Sequence, residues 1–516
     1  MSISEDTTRR RGGRAARKAL RAAPVPVEEA AVKPGMEGGA FKPLGDSDVK
    51  RIHEAALEIL ETVGLCDAIE SAVDYLTKAG CEYRDGRVYF PRVVVEDAIA
   101  KANRTFTLYG RDRKHDITPT GKRVFFGTAG AAVHIAEPET NTYRDSLLGD
   151  LYDAARIVDR CEHIHFFQRT VVARDIEDPR ELDLNTAYAS LAGTSKHVGT
   201  SFVHPDYVNE ALKMAHLIAG SEAAWRERPF MSMSCCFVVP PMKFAEDACR
   251  CLEAAVLGGM PVLLLSAGQA GATSPAALAG AVVLQVAECL AALVYVNAIV
   301  PGAPAIMGPW PFVSDLRTGA MSGGSGEQAL LTAACAQMGH FYDLPTGSAA
   351  GMCDAKMPDI QAGYEKGLTA GLVGASGLNL VYESVGMHAS LLGFCLESLL
   401  IDNDMIGAIN RNVRGIEVTD ETLGVDVIKS VCLEGPGHFL GHEQTLSLMQ
   451  SEYVYPELGN RMSPKEWQEA DKPDIVANAI ALKKQVLESH HAENIPLETD
   501  KEIRAQFPIK LPRDRM

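Results

Sequence analysis

Short apolar runs alternate with stretches of helical periodicity through the middle of the chain, from about residue 124 to about residue 401. The predicted strands are Val124–Gly130, His165–Val172, His197–His204, Phe230–Val239, Val262–Gly268, Ala303–Trp310, Leu344–Met352 and Leu380–Met387. Predicted helices fill the intervals near 147–160, 182–194, 206–219, 243–258, 275–298, 326–340, 358–376 and 389–401. This even alternation indicates parallel βαβ units, and eight of them close most naturally into a (β/α)8 TIM-type barrel. An open doubly wound sheet is the structural alternative, but no GxGxxG follows the first strand to support it.

Segments of different character flank the predicted barrel. Helical spacing after Asp46 and a hairpin turn at Asp85–Gly86 predict a small N-terminal α+β cap domain. Beyond about residue 404 the alternation stops, and a polar, mostly helical extension follows. The predicted organisation is a disordered basic tail (1–40), an N-terminal α+β domain (41–123), the barrel (124–403) and a C-terminal helical extension (404–516).

Composition narrows the class of protein. The chain has 67 acidic and 50 basic residues among 516, and its net charge of −17 disfavours nucleic acid as a partner. Its 12 cysteines are scattered without a CxxC pair, which is typical of buried thiols in a reducing compartment. The basic tail has no apolar core of the kind a secretory signal needs. We therefore expect a cytoplasmic protein.

One predicted helix, within residues 276–300, is long and apolar enough to suggest a membrane span. Gln285 and Glu288 lie near its centre, where polar and ionisable groups are costly in lipid. We therefore predict no membrane span but a helix buried at a protein interface, and with it a homo-oligomer.

In a barrel of this kind, the active face is built from residues at the carboxyl ends of the strands. The candidates there are Gln168, His204, Cys235, Cys236, Gln269, Trp310, Phe312, Asp354, Lys356, Glu383 and His388. They include few acid/base pairs and several aromatic or soft groups. Cys161, His163 and His165 alternate like metal ligands but fall at the amino end of a strand, so no metal site is predicted.

Each candidate group has a structural and a functional interpretation. Trp310 and Phe312 are either ordinary core or a wall for a quaternary ammonium group, which has no N–H and is held by π faces. Asp354 and Lys356 form either a surface ion pair at a helix start or charges that position a substrate, and Glu383 is a second possible counter-charge. The amides around Gly323 and Gly324 belong either to a plain loop or to a site for an anion such as a substrate carboxylate.

Three features resemble the trimethylamine methyltransferase family of corrinoid-dependent methyltransferases. They are the run GxxDxKxPDxQAGYEK from Gly351 to Lys366, the order of the strands, and HFLGHEQT from His438 to Thr445. The resemblance covers nearly everything after residue 40 and includes RRGGRAAR in the tail. It implies a (β/α)8 barrel that moves a methyl group from a methylated amine to the cobalt of a separate corrinoid protein. The corrinoid (cobalamin) would be carried by that partner, with no tightly bound cofactor in this chain.

The family archetype carries pyrrolysine in its barrel cavity, whereas this chain has a standard amino acid at every position. It therefore resembles the branch without pyrrolysine, whose members with an assigned role act on quaternary amines such as glycine betaine. The equivalent position lies in or near the Cys353–Lys356 run. A quaternary ammonium already carries a neutral leaving group, so its methyl transfer needs no proton, and alignment of the reactants is the main task of the site.

The sequence thus predicts a methyltransferase that demethylates a betaine-like quaternary amine. Trp310 and Phe312 would border the ammonium, and Asp354 or Glu383 would supply the counter-charge. The carboxylate would be held by Lys356, His204 or the amides of 323–326, in a pocket also lined by Gln168, Gln269 and His388. Three alternatives stay open: trimethylamine or another methylated amine as the donor, a lyase or aldolase that uses Lys356 as a Schiff-base amine, and a non-catalytic betaine sensor that reports through the basic tail.

Overall fold

Eight parallel strands form a closed ring at the centre of the molecule. The structure is a computed structural model that describes residue 26 and residues 29–435, 437–492 and 495–516. In chain order, barrel strands one to eight are Arg123–Phe126, Phe167–Gln168, Val198–Thr200, Met231–Cys235, Val262–Ser266, Ala305–Pro309, Gly347–Ala349 and Leu380–Tyr382. Strands two to six pair in sequence order, seven pairs with eight, and eight pairs with one. The bridges Gly127–Phe166 and Met307–Thr346 join the two remaining gaps, so the predicted (β/α)8 barrel is confirmed.

A helix follows each strand and covers the outside of the ring. Barrel helices one to eight are Leu148–Arg160, Pro179–Gly193, Pro205–Ala219, Glu246–Leu257, Leu278–Ile299, Gly326–Tyr342, Ile360–Ser376 and Leu396–Arg414, and a short helix, Glu222–Glu227, follows the third. Several begin at side chains that accept a hydrogen bond from the first turn, as Asp178, Ser325 and Asp359 do. These caps explain why the helical periodicity begins where it does.

The N-terminal segment packs on one side of the barrel as an α+β unit. Its helices are Asp46–Thr62, Glu70–Lys78 and Arg92–Lys101, and its strands are Leu65–Cys66, Glu82–Arg84 and Arg87–Tyr89. Its sheet continues into the loop after barrel strand four, because Cys66 pairs with Lys243 of the strand Lys243–Phe244, which in turn pairs with Val238–Val239. The unit is therefore tied by backbone hydrogen bonds to the carboxyl rim of the barrel.

Barrel helix five, Leu278–Ile299, is covered by the three N-terminal helices of the same chain. Among the described residues it is the one helix long and apolar enough to cross a membrane, and 83% of its most apolar stretch is buried in the fold. Gln285 and Glu288 are fully buried, and Glu288 accepts a hydrogen bond from the Met242 amide at 2.7 Å. The predicted burial is confirmed, but the covering surface belongs to this chain, so the helix gives no support to the expected homo-oligomer.

Part of the predicted tail belongs to the fold. The strand Met36–Glu37 pairs antiparallel with barrel strand one, and Ala31 and Val32 are buried. These contacts explain why residues 29–40 are part of the folded structure. The rest of the predicted disordered tail, residues 1–25, 27 and 28, lies outside the described residues.

The remaining elements lie on the carboxyl rim and in the C-terminal segment. One rim sheet contains Gln269–Ala270, Phe312–Ser314 and Met321–Ser322, and another contains His134–Glu137, Thr142–Asp145, Met387–His388 and Gly393–Phe394. The C-terminal helices are Asp420–Leu423, Val425–Lys429, Glu443–Leu448, Pro464–Glu469, Ile475–Ser489 and Leu497–Gln506, with a π-helical turn at Ser430–Glu434 and a 3-10 turn at Arg513–Arg515. Ile475–Ser489 packs against barrel helices one and eight. The rim sheets frame the mouth of the barrel.

Candidate active site

Buried polar atoms without a partner concentrate at the carboxyl face of the barrel. The described residues contain eight buried side-chain nitrogen or oxygen atoms that lack a hydrogen bond. Five of them belong to residues that follow barrel strands at this face: Arg169, Thr170, Ser274, Gln328 and Glu383. Such atoms are costly in a folded protein, and each calls for a partner such as a ligand, an ion or an ordered water. Their clustering identifies the mouth as the candidate site.

Glu383 is the least satisfied acidic group in the mouth. It follows barrel strand eight directly and is 1% exposed, and its Oε2 has no hydrogen-bond partner among the described residues. Burial raises its pKa from 4.5 to about 8. Its backbone φ of +58° is a left-handed conformation that residues with a side chain rarely adopt. The fold therefore holds a carboxyl group in a strained, uncompensated position.

Arg169 is the corresponding cation. It follows barrel strand two, its Nε is buried without a partner, and it forms no ion pair with any residue that the structure describes. Burial lowers its pKa, whereas the nearby Asp183 and Cys236 act in the opposite direction. Asp183 is itself engaged, because it accepts a hydrogen bond from the Val203 amide at 2.8 Å. Arg169 thus presents an unpaired guanidinium at the mouth.

Cys236 lies within the electrostatic reach of both Arg169 and Glu383. It follows barrel strand four, on the opposite side of the ring from strand eight, and it is exposed. Burial raises the pKa of its thiol, Arg169 lowers it and Glu383 raises it further. The part of the mouth between these three residues is called the recess below.

Aromatic rings lie on the side of the mouth next to Glu383. The ring of Tyr382, the residue before Glu383, lies 5.5 Å from the ring of Trp310, which lies 6.2 Å from that of Phe312. The Trp310 indole N–H donates to the Gly347 carbonyl at 3.1 Å, which fixes the ring. Trp310 and Phe312 are both buried. Trp310 and Phe312 thus form an aromatic cluster with Tyr382, and their role as a wall for an ammonium group stays a prediction.

The two predicted glutamines lie at the same face. Gln168 crosses the barrel interior, where its amide donates to the Ser234 hydroxyl at 2.9 Å. It passes directly over Gly199, since a Cβ on that residue would lie 1.6 Å from Gln168 Oε1. Gln269, half-buried on the rim sheet, accepts a hydrogen bond from the Ser314 hydroxyl at 3.0 Å. Both amides are thus partly engaged by the protein.

Asp354 is a structural acceptor in this structure. Its carboxylate accepts hydrogen bonds from the Ser322 hydroxyl and the Gly323 amide, both at 2.7 Å, and from the Ser390 hydroxyl at 2.5 Å. The Gly323 amide, predicted as an anion donor, is therefore occupied by the protein's own carboxylate. At Gly324 a Cβ would lie 2.5 Å from the Glu365 carboxylate, so this glycine is needed for close packing.

Three other predicted residues are directed away from the recess or engaged within the fold. Lys356 is exposed, and its ammonium donates to the Asp354 carbonyl at 2.5 Å. His204 is exposed and accepts a hydrogen bond from the Asp206 amide as the cap of barrel helix three. His388 is fully buried between the Cys353 thiol, at 3.3 Å, and the Ser398 hydroxyl, at 2.8 Å. Burial lowers the pKa of His388 well below 6.5, which keeps its ring neutral.

Arg169 is a candidate site residue that the sequence analysis does not identify. The predicted strand His165–Val172 extends past it, whereas the observed strand ends at its neighbour Gln168. The residues that directly follow barrel strands one to eight are Gly127, Arg169, Ser201, Cys236, Ala267, Trp310, Ala350 and Glu383. Only Arg169 and Glu383 among them are charged. The exact strand ends are therefore needed to single out these two residues.

The fold and its mouth define a barrel protein with a charged recess at the carboxyl face, which is the arrangement of barrel enzymes. A family model described as trimethylamine methyltransferase (MTTB) matches residues 10–510, and the chain belongs to this family. The family resemblance of the sequence motifs is confirmed.

Two relatives and one solved structure are similar to this chain over most of its length. The chain is 33% identical to trimethylamine methyltransferase MttB of Desulfitobacterium hafniense (strain DSM 10664 / DCB-2), over 89% of this chain and 92% of that protein. It is 29% identical to glycine betaine methyltransferase of Desulfitobacterium hafniense (strain Y51), over 90% and 95%. Among solved structures, the monomethylamine methyltransferase MtmB of Methanosarcina barkeri matches with a TM-score of 0.44 and 12% identity, over 89% of this chain and 96% of that one.

Proposed function

We propose that this protein transfers a methyl group from a betaine-like quaternary amine to the Co(I) of a corrinoid held by a separate protein. The observation that carries the proposal is Glu383, a buried carboxyl group without an ion pair or side-chain hydrogen bond among the described residues, which directly follows Tyr382 of the aromatic cluster. A quaternary ammonium has no N–H to donate, so it is bound by negative charge and π faces and not by hydrogen-bond acceptors. Glu383 with Tyr382 and Trp310 supplies that combination.

The residues present suit methyl transfer without proton movement. A quaternary amine leaves as a neutral tertiary amine when its N–CH3 bond breaks, so neither a general acid nor a general base is needed. The corrinoid supplies the nucleophile that accepts the methyl group. The recess opens to solvent at the exposed Cys236, so a group carried by another protein can approach from this side. Within the recess, the buried aromatic wall excludes water and fixes the ammonium, an orientation effect that lowers the barrier.

Substrate binding is expected to change the protonation of Glu383. Burial raises its pKa to about 8, so the group is largely protonated at neutral pH. A permanent cation next to it favours the ionised form and lowers the pKa. Binding of a quaternary amine near pH 7 should therefore release a proton, whereas a Glu383→Gln variant should release none.

The direct test combines the purified chain, glycine betaine and a corrinoid protein reduced to Co(I), with methyl-Co(III) absorbance as the readout. We expect methylation by the wild type and a loss of at least about tenfold in Glu383→Gln, because the counter-charge to the ammonium is removed. Glu417→Gln, at an exposed position, is the matched control and should retain activity. Absence of methylation with betaines, carnitine and choline, in the presence of a competent corrinoid protein, would contradict the proposal.

Trimethylamine is the second candidate donor, because a relative 33% identical to this chain carries that name. The same assay distinguishes the two donors. A higher rate with trimethylamine than with any quaternary amine would favour this alternative. A Schiff-base lysine is activated by desolvation in an apolar pocket, whereas Lys356 is exposed, so its position does not favour that mechanism.

A further inference from the structure

We infer that Arg169 binds the carboxylate of the betaine-like methyl donor. The inference rests on the proposed function, since it identifies the second charged group of the same substrate. A contact between Arg169 and a carboxylate would favour betaines and related amino-acid derivatives over quaternary amines without an acid group, such as choline. Arg169 thereby becomes a specificity-determining residue of the recess.

The first support is the unsatisfied state of Arg169. A guanidinium carries five N–H donors, and burying it without acceptors is costly. Its Nε is buried without a partner, and the fold supplies no ion pair to it among the described residues. The nearby Asp183 forms no ion pair with Arg169. It accepts a hydrogen bond from the Val203 amide, and burial raises its pKa to about 6. The guanidinium is therefore available to an external anion.

The second support is the placement of two opposite unpaired charges in one recess. Arg169 ends barrel strand two and Glu383 ends barrel strand eight, with strand one between them in the ring. They form no ion pair with each other, yet both change the pKa of Cys236, in opposite directions. A ligand with a cationic and an anionic end would satisfy both groups at once. Its orientation would be fixed, with the ammonium at the aromatic wall and the carboxylate at strand two.

The third support is the position of the other candidate donors. Lys356 and His204, which the sequence offers for the carboxylate, are both exposed. The Gly323 amide is occupied by Asp354. Arg169 is the cationic group that directly follows a barrel strand, and guanidinium geometry allows two parallel hydrogen bonds to a carboxylate.

Equilibrium binding to the full chain, measured by calorimetry without any corrinoid, tests the inference. The ligands are glycine betaine and γ-butyrobetaine, which carry a carboxylate, and choline and tetramethylammonium, which do not. We expect the wild type to bind one of the betaines about 10- to 100-fold more tightly than choline, the range for hydrogen bonds to a charged group. Arg169→Met should weaken betaine binding by a similar factor and change choline binding less than about threefold. Arg169→Lys should restore part of the preference.

Two controls separate binding from folding. Arg169→Met should unfold at the same temperature as the wild type or higher, because the guanidinium contributes no bond to the described fold. Arg174→Met, in the same loop but exposed and paired with Asp145, should leave the betaine preference unchanged. Equal weakening of betaine and choline in Arg169→Met, or a wild type without preference for carboxylates, would overturn this inference alone. A wild type that binds no quaternary amine would overturn the proposed function as well.

Discussion

Two groups of charged residues lie near the carboxyl face of this barrel, and they differ in whether the fold satisfies them. Around barrel strand seven and helix seven, Lys366 forms a buried ion pair with Asp402 at 2.7 Å, and Asp354 accepts three hydrogen bonds. In the mouth, Arg169 and Glu383 have neither an ion pair nor a side-chain hydrogen bond among the described residues. The first group holds loops and helices together, and the second is the one that we propose a ligand satisfies.

The difference shows that local density of charged residues is a poor guide to function. The run from Gly351 to Lys366 has the most motif-like sequence in the chain, yet its charges are used internally. Leaving a buried charge without its partner costs more free energy than an intact pair contributes. Stable folds therefore pair most of their buried charges. Unpaired charges in the mouth therefore carry more functional information than paired ones.

The largest effect on stability is expected from Lys366→Met. The variant leaves Asp402 buried without its cation, which should lower the free energy of unfolding by about 3–5 kcal/mol. Urea unfolding at pH 7 measures the change. Lys484→Met, which breaks an exposed pair with Glu139, is the matched control and should cost less than about 1 kcal/mol. Similar losses in the two variants would mean that the Lys366–Asp402 pair is not a structural element.

Glu383→Gln should show the next largest effect, and its size should depend on pH. Burial raises the pKa of Glu383 from 4.5 to about 8 in the folded protein. Between these two pH values the folded state keeps a proton on Glu383 that the unfolded state has released. Wild-type stability should therefore fall as pH rises from about 5 to 8, relative to a variant that cannot titrate there. The advantage of Glu383→Gln should grow across this range to on the order of 3 kcal/mol.

Urea unfolding of both proteins at several pH values gives this difference. A constant difference between pH 5 and 8 would show that Glu383 is ionised in the folded protein, and with it that the carboxyl group already has a counter-charge. Saturating glycine betaine should reduce the pH dependence of the wild type, because the ligand supplies that counter-charge.

Asp354→Asn should have an intermediate effect. The neutral amide weakens the acceptor shared by the Gly323 amide and the Ser322 and Ser390 hydroxyls, so we expect a loss of about 1–3 kcal/mol. Thermal unfolding measures it. Asp359→Asn, in the same run, keeps a side-chain cap on helix seven and should change stability by only a few tenths of a kcal/mol. Unchanged stability together with lost betaine binding would return Asp354 to the substrate site.

Lys356→Met should have the smallest effect of the series. Its side chain is exposed and, among the described residues, donates only to the nearby Asp354 carbonyl, so stability should change by less than about 0.5 kcal/mol. Betaine binding, measured beside Arg169→Met, should change less than about threefold. The sequence favoured Lys356 for the substrate carboxylate, and stronger weakening in Lys356→Met than in Arg169→Met would restore that assignment.

The sequence predicted the barrel well because periodicity is a local signal. All eight predicted strand segments overlap an observed barrel strand, since alternation of strands and helices is written in neighbouring residues. Burial of helix five was predicted from its composition, but its cover was not. The covering helix Asp46–Thr62 precedes it by more than 200 residues, and no pattern within either helix specifies the other.

The site was predicted only in part because partnership between distant residues is invisible in a sequence. Glu383 was a candidate from its place after a strand, but its lack of partners appears only in three dimensions. The Gly323 amide looked available because Asp354, which occupies it, lies 31 positions away. Arg169 was missed because the predicted strand extended past it, whereas the observed strand ends at Gln168.

Closure of the barrel has a consequence for how the chain is made. Barrel strand one, Arg123–Phe126, pairs with strand eight, Leu380–Tyr382, about 250 residues later. At a synthesis rate of 5 to 20 residues per second, strand one waits for roughly 13 to 50 s before its final partner leaves the ribosome. During that time its unpaired edge is open to aggregation. Strand Met36–Glu37, which is made earlier, pairs with Arg123 and Val124 on the opposite edge of strand one, so it can cover that edge but not the one that waits for strand eight.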